Sequence, residues 1–352
     1  MNVLRPCFYI FMLFFILIPA QNSLAQVTVD VGGYGQFWLT MNEHTETASG
    51  DSRDVSGYRL RRGRLFARSR INETFGAAVW LDFAGTDRHL LDFYFDVHLK
   101  PWLNIRAGQF IMPAQTHDTA RLVSSRLIFY ERAPVTTQLS SAMGLDAFRD
   151  IGIMLYGTYG PLWYGVQASN GTGRFAQAGT SISERSIGDG MYGVRVDYEL
   201  TDGLFLGGHA SINNQKNISI SNNEPKDINR KSYSLRLMTD GFGVDRLFSE
   251  IEYAAGERDD DQVFTFNGFY TQLGYKVTNN LHLMMRYDQF IRNPDSGIRF
   301  KSDSFTLGTL YYIRHEKSEV ARVGINYRTG KVNPESLDNY TLMAWLQVRF
   351  MP

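Results

Sequence analysis

A single cysteine, Cys7, occurs in 352 residues, and it lies just before an apolar run from Phe8 to Pro19. Arg5 ahead of that run and Ser23-Leu24-Ala25 behind it complete the pattern of a secretory signal over residues 1–25, leaving a mature chain of 26–352 that begins at Gln26. The run is shorter than the roughly 20 residues a membrane-spanning helix needs. Without Cys7 the exported chain has no thiol, which excludes disulfides and thiolate metal sites in an oxidising compartment. A surplus of one charge is missing too, since 36 basic residues face 36 acidic ones and removal of the signal takes only Arg5. That balance gives no support to a nucleic-acid partner. Long apolar runs are the third absence: none of 18 residues follows the signal, so helices do not carry this chain through a membrane.

What is present is alternation. In "LLDFYFDVHL" the residues Leu91, Phe93, Phe95, Val97 and Leu99 alternate with Asp92, Tyr94, Asp96 and His98, the period-two pattern of a strand with one apolar and one polar face. The same reading places strands at 27–41, 57–71, 75–85, 89–99, 102–110, 148–157, 161–169 and 190–200. Eight more follow at 203–213, 231–239, 244–256, 264–277, 280–290, 304–313, 318–328 and 340–350, sixteen in all.

The connections sort by length. Short turns such as "NET" at 72–74, "KP" at 100–101, "TDG" at 201–203 and "TNN" at 278–280 alternate with mostly longer loops at 42–56, 111–147, 170–189, 214–230, 291–303 and 329–339. An even strand count with loop lengths segregated to two ends predicts an all-β fold, a transmembrane antiparallel barrel of the bacterial outer membrane with both termini on the inner side. Hydrocarbon demands closure, because every backbone donor and acceptor must be paired within the protein. About sixteen strands are enough to enclose water rather than be filled by side chains. The expected role is passive diffusion of small hydrophilic solutes.

The densest charge lies in "YRLRRGRLFARSR", residues 58–70. Strand parity puts Arg62, Arg64, Phe66, Arg68 and Arg70 on one face and Gly63, Leu65, Ala67, Ser69 and Ile71 on the other. An arginine on the lipid face near the midplane costs roughly 2–4 kcal/mol, so the charged face is predicted to be lumenal. Arg59 and Arg61 fall on the opposite parity, towards the lipid side near the strand's start. Asp82, Asp92, Asp96 and His98 take lumen parity on the next two strands, and Arg106, Arg195, Arg236, Arg322 and Arg328 do so elsewhere. The row either attracts anions into the lumen or serves mainly to neutralise the adjacent aspartates.

The longest connection, 111–147, is the third outward loop and is unusually apolar in "LVSSRLIFYERAPV". Length and composition predict that it folds into the lumen and forms the constriction.

Several stretches together resemble the phosphate-selective porin O and P family of Gram-negative outer membranes. These are "RLRRGRLFARSRI", "VWLDFA", "IRAGQFIMP", "SSRLIFYERAP", "FRDIGIMLYG" and "WYGVQASNGTG", in family order from about 57 to 173. The resemblance implies a homotrimer of sixteen-stranded barrels with a basic lumen that favours anions, phosphate among them. It also carries over Arg62, Arg64, Arg68 and Arg70 as lumenal residues, and Arg126, Arg132 and Arg149 as members of the matching loop and strand motifs. Where the family often has lysine after "GQF", this chain has Ile111, so anion preference carries over further than phosphate selectivity. The last strand, ending at Phe350, resembles the signal read by the barrel-insertion machinery. Outer-membrane lipid and lipopolysaccharide are the surroundings so implied.

Two other functions compete. "SNG" at 169–171 resembles the nucleophile region of an outer-membrane lipase, but the base two residues before the serine is replaced by Gln167, so Ser169 is not activated and no enzyme is expected. A structural barrel with a blocked lumen stays open as the second alternative. No cofactor is expected, and the acidic run "ERDDDQ" at 257–262 reads as a solvated loop rather than a metal site.

Overall fold

Sixteen antiparallel strands close on themselves in the computed structural model, which describes residues 27–46, 52–84, 89–117, 131–143, 148–171, 173, 190–218, 226–240, 246–259, 263–295, 297–315, 318–333 and 337–350. The predicted signal segment and Arg126 lie outside these residues. In chain order the strands are β1 (Thr28–Glu46), β2 (Ser52–Arg70), β3 (Phe75–Asp82), β4 (Leu90–Lys100), β5 (Leu103–Ile111), β6 (Arg149–Tyr159), β7 (Leu162–Ser169) and β8 (Gly190–Thr201). They continue as β9 (Leu204–Ile218), β10 (Lys226–Asp240), β11 (Leu247–Asp259), β12 (Phe264–Lys276), β13 (Leu281–Pro294), β14 (Phe300–His315), β15 (Ser318–Asn333) and β16 (Leu337–Phe350). Sequence neighbours are neighbours in the wall, and β16 returns to β1 with Gly33 opposite Phe350 and Thr45 opposite Asn339. Closure leaves no strand edge unpaired, as a hydrocarbon surrounding requires.

The alternation in the sequence becomes two faces. Val194, Val196, Leu235, Ile251, Ile325 and Val348 point outward and are exposed, forming an apolar belt that in water would be a liability and in lipid is the solvated face. Their neighbours on inner parity, such as Arg195, Arg236, Glu250, Glu252 and Gln347, are buried. The strands run further than the alternation predicts: β1 and β2 extend to 46 and from 52, where a loop at 42–56 was expected, and β9, β10, β15 and β16 lengthen likewise. Beyond the hydrocarbon a hairpin has water on both faces, so its pleat leaves no apolar period to read.

Two bulges change which side chains point inward. Between β1 and β2 the register passes from Gln36↔Arg62 to Phe37↔Leu60, leaving Arg61 as the extra residue. The inversion turns Leu60 outward and brings Arg59, opposite the buried Trp38, to the inner face; the Arg61 guanidinium also lies over Trp38, 5.3 Å from its ring centre. The lipid-side placement expected of Arg59 and Arg61 is therefore corrected. A second shift, from Trp80↔Asp92 to Leu81↔Leu90, makes Leu91 the extra residue of β4. Leu91 is buried with Tyr34, Phe66 and Trp80 instead of joining Phe93 and Phe95 on the lipid face. A bulge adds one residue and inverts the parity of everything beyond it, which strict alternation does not register.

The connection after β5 contains a helix, α1 (Pro134–Ala142). Pro134 occupies its first turn, where a missing N–H costs nothing, and Val135, Leu139, Ala142 and Met143 recur at helical spacing. The helix lacks a side-chain cap and charged ends, so packing holds it: Val135, Leu139 and Met143 cluster with Phe264, Phe266 and Tyr270 on the inner side of β12. Gly268 permits the approach, because a Cβ there would come within 2.5 Å of Val135. Gly193 on β8 does the same for Ala114, since a Cβ added there would lie 2.4 Å from the Ala114 Cβ.

Candidate functional site

Arg62, Arg64, Arg68 and Arg70 share one face of β2. Arg64 stands opposite Tyr34 and Asp82, and donates from Nε to Asp82 Oδ2 at 2.7 Å and from Nη1 to the Tyr34 hydroxyl at 2.9 Å. The other oxygen of Asp82 accepts the backbone N–H groups of Gly63 and Ala84, each at 3.2 Å. Arg62 is buried and bonded to Gln36, with Glu131 3.8 Å away. Arg68 lies with its guanidinium 4.9 Å above the Phe66 ring and 5.3 Å from Trp80. Among the described residues, Arg59, Arg68 and Arg70 make no hydrogen bond or ion pair with a side chain. Arg68 and Arg70 border a cavity of about 370 Å³ at the short-turn end of the barrel, together with Asp30, Tyr94, Asp96 and His98.

The three predicted acids are each committed to one cation. Asp82 holds Arg64, as above. Asp96 accepts both Nε and Nη2 of Arg106 at 2.8 Å, and the Arg106 guanidinium lies 3.8 Å over the Tyr94 ring. Asp92 instead takes a fork from Arg149 at 2.8 and 2.9 Å, reaching past β5 to the start of β6, with both side chains buried. A planar guanidinium on a carboxylate at this geometry is a strong charge-assisted pair. Arg132 is buried with its guanidinium 4.5 Å over the Phe148 ring, so it braces the end of the long connection rather than facing solvent. Phe148 itself adopts a positive φ of 67°, and its carbonyl accepts from Met112 N and Gln115 Nε2 at 3.2 and 2.8 Å.

Of the other arginines assigned lumen parity, Arg195 and Arg236 share Asp197, and Arg322 donates to Gln347 at 3.1 Å while lying over Trp345. Arg328 stands on inner parity opposite Thr306 and Thr341.

A second polar cluster went unrecognised in the sequence. Glu250 and Glu252, at i and i+2 on β11, are buried, and each sets a carboxylate oxygen 2.8 Å from the Tyr270 hydroxyl, which has one hydrogen to donate between them. His117, just past β5, gives its backbone N–H to Glu252 at 2.7 Å and sets Nδ1 2.7 Å from Glu250 and 2.8 Å from Arg236. The alternating Glu-Ile-Glu of 250–252 was a usable signal, because an acid pair of one parity inside a barrel strand needs partners there.

Glu131 lies between distant parts of the wall. Its Oε1 accepts from Arg61 Nη2 on β2 at 2.6 Å, while its carbonyl oxygen accepts from Arg286 Nη1 on β13 at 3.1 Å. Burial works against its charge, yet Arg61 and Arg62 beside it hold the carboxyl below the usual carboxylate range. Val135 N donates to Asp288 on the same wall, at 3.2 Å.

The residues offered as alternatives for chemistry do other work. Gln167 Oε1 accepts from Ala114 N at 3.0 Å, tying the connection to β7 two residues before Ser169. Among the described residues no three His, Cys, Asp or Glu side chains gather as a metal site, and residues 260–262 of the acidic run lie outside them.

A family model described as phosphate-selective porin O and P matches residues 31–351. No curated protein sequence matches the chain. Solved structures match in fold. The anion-selective porin from Comamonas acidovorans aligns with a TM-score of 0.64 at 16% identity, covering 92% of this chain and 100% of that one. A trimer form of in-vitro folded OmpT, an outer membrane protein of Vibrio cholerae, aligns at 0.62 with 15% identity, covering 92% and 99%. The outer membrane channel DcaP of Acinetobacter baumannii aligns at 0.58 with 12% identity, covering 93% and 97%.

Proposed function

Because the chain belongs to the phosphate-selective porin O and P family and forms an outer-membrane channel, we propose that it passes small hydrophilic solutes by passive diffusion with a preference for anions. One observation carries the preference. After Asp82, Asp92 and Asp96 have each neutralised an arginine, Arg59, Arg68 and Arg70 still have no acidic partner among the described residues of the inner wall. Arg62, neighbour to Gln36 and 3.8 Å from Glu131, adds to the same field. A narrow low-dielectric passage focuses such charge onto permeating ions. The Comamonas structure of similar fold is described as anion-selective, which supports the same reading.

The constriction is assigned to the connection after β5. Its support is the contact of Glu131 with Arg61 on β2 and Arg286 on β13, strands separated by four others along the wall. Residues 1–25 serve as the export signal, and the strand β16 with its Phe350 as the assembly signal. A homotrimer in outer-membrane lipid and lipopolysaccharide is the working assembly, in keeping with a trimer form among the structures of similar fold. Catalysis by Ser169 is not proposed, since Gln167 is engaged with Ala114.

Single-channel recording in planar bilayers, with reversal potential under a salt gradient, tests this function. Stable conductance with a reversal potential set by anions is expected. A silent protein would favour the blocked barrel, and cation preference would remove the role given to the arginines.

A further inference from the structure

At the long-loop end of the barrel, α1 and the strands β11–β14 border an open recess of about 420 Å³ whose chemistry differs from the arginine ladder. It lies within the roughly 300–1,000 Å³ range of small-molecule sites. Its wall is aromatic: Phe264 from β12, Phe290 from β13 and Phe300 from β14, with Phe290 and Phe300 edge to face at 6.3 Å. Two guanidiniums reach into the same ring cluster. Arg292 lies 5.5 Å from the centre of Phe264 and 5.4 Å from that of Phe300, and Arg258 lies 5.8 Å from Phe264. Gln138 closes the side formed by the helix.

Inner parity brings these residues together. Arg258 stands opposite Phe264 between β11 and β12, and Arg292 stands opposite Phe266 and Phe300 between its two neighbours. Among the described residues Arg292 makes no hydrogen bond or ion pair, and its guanidinium lies against the Phe264 and Phe300 rings.

We propose that this cavity is a capture site for aromatic carboxylates on their way to the constriction, the carboxylate meeting Arg292 and the ring packing among Phe264, Phe290 and Phe300. A bare inorganic anion would gain the charge but lose hydration against phenyl rings, and an uncharged aromatic would lack the guanidinium contact. Aromatic carboxylates combine both requirements, because aromatic pairs favour offset or edge-to-face contact and arginine favours a planar carboxylate. The inference rests on the channel reading only for access to the site.

Equilibrium dialysis of radiolabelled benzoate, acetate and inorganic phosphate against the detergent-purified protein measures the site without conduction. Benzoate is expected to bind more tightly than acetate or phosphate. Arg292→Gln is expected to weaken benzoate about tenfold, the loss of one charged contact of modest strength. Phe300→Leu is expected to weaken benzoate and leave acetate unchanged, which separates loss of the ring contact from loss of fold. Retention of the heat-modifiable electrophoretic form checks that each variant is folded. Equal binding of benzoate and acetate, or an unaltered benzoate affinity in both variants, would overturn the proposal. Conductance without benzoate binding would remove the site alone, whereas benzoate binding by a protein without conductance would remove the channel reading alone.

Discussion

Glu131 accepts a hydrogen bond of 2.6 Å from Arg61, joining the long connection after β5 to the strand with the densest arginine content. The contact exists because the bulge at Arg61 turns that side chain inward. Removing the carboxylate with Glu131→Gln should therefore free Arg61 and raise anion conductance or anion selectivity. The two side chains are each about a third exposed, so the stability lost should be only about 1 kcal/mol. Conductance and thermal midpoint measured on the same variant check both parts.

Acid should act at the same contact. Arg61 and Arg62 hold the Glu131 carboxyl below its ordinary range. A depressed carboxyl contributes stability above its unfolded pKa and loses it as pH falls through the folded value. Lowering pH from 7 to about 5 should thus leave the contact intact, and further acidification below the usual carboxylate range should release it. A pH series of single-channel currents should show this acid step in the parent protein and lack it in Glu131→Gln.

The paired and unpaired arginines should separate in a selectivity measurement. Arg64 is balanced by Asp82, whereas Arg68 and Arg70 lack an acidic partner among the described residues. Arg68→Glu or Arg70→Glu should move the reversal potential towards cations. The neutral double change Arg64→Gln with Asp82→Asn should move it little. If all three left selectivity unchanged, the ladder would be structural wall.

The buried pair of Arg149 with Asp92 should matter for stability more than for permeation. Arg149→Ala strands an ionised carboxylate out of water and should cost about 3–5 kcal/mol, seen as a lower midpoint of heat-induced loss of the barrel form. Adding Asp92→Leu should restore most of it, because the orphaned charge goes with the second substitution.

His117 ties the start of the same connection to Glu250 and Glu252 on β11. His117→Ala keeps the backbone bond to Glu252 and removes the imidazole between Glu250 and Arg236. Greater current noise or sub-conductance states should follow, since a loop held by fewer contacts samples open positions more often. Noise equal to that of the parent protein would place the loop's restraint elsewhere, in α1.

Strand number, barrel closure and the outward apolar parity of residues such as Phe93 and Phe95 were legible in the sequence. Each follows from a local rule: successive residues point to opposite faces, and hydrocarbon tolerates charge on only one of them. Three features were not legible. Arg59, Arg61 and Leu91 change face because single-residue bulges invert parity, and nothing in composition marks where an extra residue is absorbed. The partners of the acids depended on stagger between strands, which gave Asp82 to Arg64 and Asp96 to Arg106 but let Arg149 reach Asp92 across a short β5. The docking of α1 and His117 joined residues far apart in the chain, Val135 with Gly268 and His117 with Glu250, through a fit of shape and charge that no periodicity encodes. Local alternation thus wrote the wall and its two faces, while register and long-range packing decided which arginines are paired with which acids.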